Sequence, residues 1–283
     1  MHIIPLAFSV LMMMSSCTKN LPPTSVDNTE QTLSEISYGK DYKQKLDLFL
    51  PANRNKTDTR IIILIHGGGW SGGDKAELHQ SVLELKKRLP GYAFANLNYR
   101  LFNNEQNKFP SQEIDINTAI QFLAAKSTEY NYSKQFILMG ASAGAHLALL
   151  QAYKNTNDIK PIAVISFFGP SDLTHLYNNP INEGIPYLLK SLTGATPAQY
   201  PETYKQSSPL FFVNSQSPPT LLFHGEKDLL VPKIQSELLN NKLQAANVPH
   251  RFVVYPTEGH GWTGPNLTDS FNQIVAFLKE HAD

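Results

Sequence analysis

A chain of 283 residues with 24 basic and 24 acidic side chains has no formal net charge, a balance in which nothing suggests a nucleic-acid or polyanion partner. Its length suits one large α/β unit, in which roughly three quarters of the unfolded surface can be buried. A single cysteine, Cys17, excludes an intramolecular disulfide and any cysteine-based zinc site.

At the N-terminus, residues 3–14 form an apolar run too short to span a bilayer, followed by Ser15, Ser16 and Cys17. An apolar run closed by small residues reads as a secretion signal. With the cysteine at its end, it resembles the bacterial lipoprotein signal. That resemblance implies a signal peptide over 1–17, export across the inner membrane, and a lipid anchor on Cys17. Residues 18–32 are polar and aperiodic, as in a tether, and the folded domain is expected over 33–283.

Residues 44–50 partly alternate and stop at Pro51, the pattern of a half-exposed strand near a sheet edge. Residues 60–65 are instead a continuous β-branched run, which fits a strand covered on both faces of a parallel sheet. Short apolar runs recur at 92–99, 136–140, 162–168, 220–223 and 251–255. Helical spacing lies between them: Ile116, Ile120 and Leu123 share a face, and Phe271, Ile274, Val275 and Leu278 fall at i, i+3, i+4 and i+7. Alternating strands and helices predict an α/β fold, a mostly parallel central sheet flanked by helices on both faces. Ligands of such sheets bind beyond the carboxyl ends of the strands. The long stretch 171–218 reads as a small lid-like insertion with a short helix near 188–192.

The chemistry-bearing motifs follow the strands. After 60–65 comes His66-Gly67-Gly68-Gly69-Trp70, whose glycines let backbone N–H groups approach a ligand closely. After 136–140 comes Gly140-Ala141-Ser142-Ala143-Gly144 and then a helix-forming run. That strand–turn–helix context is what a nucleophile elbow needs, and the helix N-terminus favours a developing anion. Ser142 is thus the candidate nucleophile. The glycine loop and Ala143 are candidates for an oxyanion hole. A supporting acid is expected between the serine and the base. Asp228, after strand 220–223, is the leading candidate, Asp172 the runner-up and Glu226 a weaker contender. His260, between glycines in the loop after the last strand, alone among nine histidines has both the order and the loop of a general base. His66 reads as a loop-shaping residue, His224 as a strand-end residue bonded to backbone, and His146 as a packing or hydrogen-bonding group. His79, His175, His250 and His281 carry no motif. Trp70 and Tyr99 are candidate substrate contacts.

Taken together, His66 to Trp70 and Gly140 to Gly144 resemble the HGGG esterase/lipase branch of the α/β-hydrolases. Within it, the likeness is to small bacterial carboxylesterases that include feruloyl and acetylxylan esterase-like members. Asn98-Tyr99-Arg100-Leu101, and Phe109-Pro110 ahead of a helix containing Asp115, share the likeness, which covers about residue 33 to the end. The resemblance implies Asp228 as the acid and Gly68 and Gly69 as the loop donors. It also implies hydrolysis of carboxylic esters through an acyl-enzyme, with acetyl or feruloyl esters of polysaccharides as substrates and no metal or organic cofactor. Two other functions compete: amide hydrolysis by a formamidase or small peptidase, and a non-catalytic binding module. The second has no need of an intact Ser142, Asp228 and His260 set.

Overall fold

The computed structural model describes residues 28–103, 105–154 and 159–282. The signal segment and Cys17 lie outside the described residues. One eight-stranded sheet carries the fold, in the order β1-β2-β4-β3-β5-β6-β7-β8. The strands are β1 (Gln31–Ser37), β2 (Lys45–Leu50), β3 (Ile61–Ile65), β4 (Ala93–Leu97), β5 (Phe136–Ala141), β6 (Ala163–Phe167), β7 (Thr220–Gly225) and β8 (His250–Tyr255). β1 and β2 run antiparallel to their neighbours, and every pairing from β4 through β8 is parallel.

The all-apolar strands are explained by their two covered faces. Along β3, Ile61, Ile63 and Ile65 enter one core and Ile62 and Leu64 the other. The first core is closed by α2 (Ser111–Tyr130), α3 (Ala143–Lys154) and α7 (Ile234–Ala245), the second by α1 (His79–Arg88) and α8 (Gly264–His281). Ile116, Ile120 and Leu123 of α2 are fully buried in the first; Phe271, Ile274 and Leu278 of α8 lie in the second, with Val275 packed on its edge.

One expectation needs correction. Residues 44–50 supply β2, near the sheet edge as expected, but β1 pairs outside it, and Gln31 and Thr32, expected in the tether, already belong to the sheet. A bulge hid this strand. Between Leu33 and Ile36 the register shifts, with Glu35 at φ 58, so the two inward apolar residues stand three apart instead of two. Residues 28–30 are tied down as well. The Asn53 N–H donates to the Asn28 carbonyl at 2.9 Å, and Lys86 pairs with Glu30 at 2.8 Å.

The insertion 171–218 folds as α4 (Leu173–Asn178), α5 (Gly184–Thr193), α6 (Pro201–Gln206) and a 3-10 turn, Pro209–Phe212. The helix expected near 188–192 is the second half of α5. Among the described residues, no helix is long and apolar enough to cross a membrane.

Candidate active site

β5 ends at Ala141 and α3 begins at Ala143, so Ser142 makes the turn alone, with φ 53. A left-handed backbone costs a non-glycine residue about 1–3 kcal/mol and persists only where its surroundings impose it. Here the Ser142 N–H donates to the Phe167 carbonyl at 2.9 Å, and its carbonyl accepts from the His146 N–H at 3.0 Å. The motif glycines are required by proximity. A Cβ on Gly144 would stand 2.1 Å from the Ile65 carbonyl oxygen, and one on Gly140 would stand 2.4 Å from the Gly144 carbonyl.

His260 reaches the serine from the loop after β8. The Ser142 hydroxyl donates to His260 Nε2 at 2.9 Å, and His260 Nδ1–H donates to Asp228 Oδ2 at 2.7 Å. The other carboxylate oxygen, Oδ1, accepts from the N–H groups of Leu230 at 2.8 Å and Val231 at 2.9 Å. His224 Nε2–H donates to the Val231 carbonyl at 2.8 Å and lies 3.4 Å from Asp228 Oδ2. Burial pushes the Asp228 carboxyl up. The hydrogen bonds from His224 and His260, attraction to His260 and the Val231 N–H outweigh that, so it is held well below the usual carboxylate range. Asp228 is therefore ionised at neutral pH, fixes the tautomer of His260, and would stabilise its imidazolium. The Phe168 ring, itself at φ 44, packs 4.5 Å from the His260 ring.

The other two carboxylates considered for the acid are occupied elsewhere. Asp172 caps α4 by accepting from the His175 N–H at 2.9 Å, and Glu226 is paired with Lys233 at 2.8 Å.

The glycine loop stands opposite. Gly67, Gly68, Gly69 and Trp70 line a cavity of about 530 Å³ together with Ser142 and His260. Leu176 of α4 and Ile185 and Leu188 of α5 close the same cavity, so the insertion does sit over the serine. Gly68 has φ 98, and a Cβ there would lie 2.2 Å from the Gly72 carbonyl oxygen. His66 shapes this loop: its Nδ1–H donates to the Gly67 carbonyl at 2.8 Å, and burial keeps the ring below the ordinary histidine range.

Tyr99 does not contact substrate space. It is fully buried, stacks on the His66 ring at 4.4 Å, and its hydroxyl lies 3.0 Å from the His66 carbonyl as donor. It braces the loop from behind. Asp115, also fully buried, accepts from the Arg100 N–H at 2.8 Å and from its guanidinium at 2.6 Å, which fixes the segment after β4.

Trp70 does line the cavity, and its indole N–H donates to His146 Nδ1 at 3.2 Å. His146 Nε2–H donates in turn to the Ser207 carbonyl at 2.6 Å, which links loop, helix and insertion. Burial lowers His146 to about 4, so it is neutral in the folded protein. The unfolded chain takes up this proton near pH 6.5, before the folded one does. The stability His146 contributes is therefore complete above about pH 6.5 and is lost as pH falls toward 4, by up to about 3 kcal/mol. His146→Gln retains one donor and one acceptor but does not titrate. Its urea midpoint is expected to fall less than that of the wild type between pH 7 and pH 4; equal falls would refute the assignment.

Two contributions could not be read in full from the sequence. His224 was legible as a strand-end group bonded to backbone, but its approach to Asp228 follows from the turn between them. Phe168 gives no hint in its residue type that it adopts a left-handed backbone beside the base. Among the described residues, no group of three His, Cys, Asp or Glu side chains is arranged to hold a metal ion.

A mostly parallel sheet with a serine on a strand–helix turn, and a carboxylate and then a histidine following on later loops, defines an α/β-hydrolase. A family model, BD-FAE, matches residues 46–243, and the chain belongs to that family of α/β-hydrolase esterases. It is 24% identical to esterase LipC of Mycobacterium tuberculosis (strain ATCC 25618 / H37Rv), over 87% of this chain and 64% of that protein. It is 26% identical to the isoprenylcysteine alpha-carbonyl methylesterase ICME of Arabidopsis thaliana, over 82% of this chain and 57% of the relative. The chain spans between 53% and 64% of the length of the first three such relatives. Among solved structures, a truncated carbohydrate esterase from gut microbiota superposes with a TM-score of 0.76 at 25% identity, covering 90% of this chain and 98% of that one. The Est2 esterase of Thermogutta terrifontis shares the fold, with a TM-score of 0.72 at 21% identity, covering 91% and 94%.

Proposed function

We propose that the protein is a serine carboxylesterase working through an acyl-enzyme. The observation that carries this reading is the unbroken hydrogen-bond line from Ser142 through His260 to Asp228 at a cavity walled by the glycine loop. In the first half-reaction His260 Nε2 takes the hydroxyl proton while Ser142 Oγ bonds to the ester carbonyl carbon. The carbonyl π electrons move onto its oxygen, which the N–H groups of Gly68, Gly69 and Ala143 are proposed to hold. Ala143 opens α3, where the first N–H groups have no acceptor within the helix. Collapse of the adduct breaks the bond to the alcohol oxygen, which leaves with the proton from His260. Water, deprotonated by the same ring, then releases the acid and restores the serine.

A fluorophosphonate probe is expected to label the protein once, at Ser142, as read by the mass of the proteolytic peptide carrying that residue. Labelling at another serine, or none, would refute the reading.

Acetyl or feruloyl esters of polysaccharides are the proposed substrates, which the carbohydrate-esterase neighbour supports. We further propose that acylation of Cys17 anchors the protein to a bacterial membrane, on the apolar run 3–14 and the small residues before the cysteine. Cys17→Ala is expected to move the protein from the membrane to the soluble fraction of its host. An unchanged distribution would refute the anchor.

A further inference from the structure

A second cleft borders Phe168 and is lined by no residue of the insertion, and the reaction sequence above makes no use of it. Its volume is about 190 Å³. Four aromatic rings surround it: Phe167, Phe168, Trp262 and Phe271. They are held in fixed poses. The Trp262 indole N–H donates to Ser270 Oγ at 2.9 Å, the Phe168 and Trp262 rings meet edge to face at 5.4 Å, and Phe167 stands 5.8 Å from Trp262. With that indole N–H engaged, the hydroxyl of Ser81 is the one side-chain polar group left in the lining.

This cleft adjoins the catalytic cavity across a shared wall. Leu78, Ala141 and Phe168 form walls of both, and Ala141 immediately precedes the serine. A carbonyl at Ser142 therefore sits beside the wall that the two spaces share.

We propose that this cleft is a second substrate subsite, which takes a ring-sized apolar group of the ester. The proposal rests on the esterase reading. Size and lining select the guest: an apolar protein cavity of about 150 Å³ stays dry and accepts benzene. Rigid aromatic walls favour a flat ring, through edge-to-face and offset contacts, over a hydrated sugar. An ester can carry such a ring on its acyl or its alcohol half, and the two sources are separable.

The test compares the wild type with Ser81→Phe, which fills the cleft from α1, and Leu267→Ala, which widens it from α8. One arm holds the alcohol constant and measures kcat/KM for p-nitrophenyl benzoate relative to p-nitrophenyl acetate. The other holds the acyl group constant and compares benzyl acetate with ethyl acetate. Each ratio is internal to one variant, so a change in folded fraction cancels. Ser81→Phe is expected to lower the ring-to-small ratio by roughly tenfold or more in one arm, and Leu267→Ala to move the same ratio upward. A shift in the acyl arm assigns the cleft to the acid half, and a shift in the alcohol arm assigns it to the leaving group; either supports the subsite. Should Ser81→Phe fail to fold, Leu267→Ala alone decides. Ratios within about twofold of the wild type in both arms, for every variant that folds, would overturn the proposal while leaving the esterase reading intact. A wild type that turns over none of the four esters would overturn both.

Discussion

Alanine in place of Ser142 is expected to lower kcat on p-nitrophenyl acetate by on the order of 10⁴–10⁶-fold, with a thermal midpoint close to that of the wild type. The two expectations belong together. The substitution removes one oxygen, whose described hydrogen bond is to His260 Nε2, and it leaves the backbone bonds to Phe167 and His146 in place. Alanine meets the same left-handed backbone as serine, so the strain at φ 53 is unchanged. What disappears is the nucleophile alone. Activity within tenfold of the wild type, at equal stability, would put the nucleophile elsewhere.

Asp228→Asn is expected to lower kcat by about 10⁴-fold with little change in KM. The shape survives, because the asparagine carbonyl can still accept from Leu230 and Val231. The amide nitrogen then faces His260 Nδ1 where a carboxylate oxygen accepted its proton at 2.7 Å. Two donors cannot share that line. The imidazole settles with its proton on Nε2, where it no longer accepts from Ser142. Nor is there a negative charge to stabilise the imidazolium. Steady-state kinetics at neutral pH check this. A loss smaller than tenfold would reopen the assignment of the acid, with Asp172 and Glu226 as the remaining candidates.

The parts of this molecule that were legible in its sequence are those where one local rule acts without competition. The β-branched run at β3 fits a strand covered on both faces, and the glycines flanking Ser142 announce a turn too tight for side chains. The order of serine, acid and histidine along later strands narrowed the carboxylates to a few. What escaped depends on registers and environments that a linear pattern does not encode. β1 was obscured because a bulge broke its two-residue period between Leu33 and Ile36. Tyr99 reads from the sequence as a candidate substrate contact, yet its ring is buried against His66 and braces the loop. Phe168, which lines both cavities, holds a backbone conformation that phenylalanine seldom adopts.

The backbone contact between Gly144 and the carbonyl oxygens of Ile65 and His66 has a consequence for how such an enzyme can diversify. With no side chain interposed, the separation between the serine turn and the loop facing it is set by main-chain dimensions and cannot be tuned by exchanging rotamers or residue sizes. Changes in what the protein accepts must therefore come from parts whose side chains are free to vary, such as Leu176, Ile185 and Leu188 of the insertion. The distance over which bonds are made and broken is inherited unaltered.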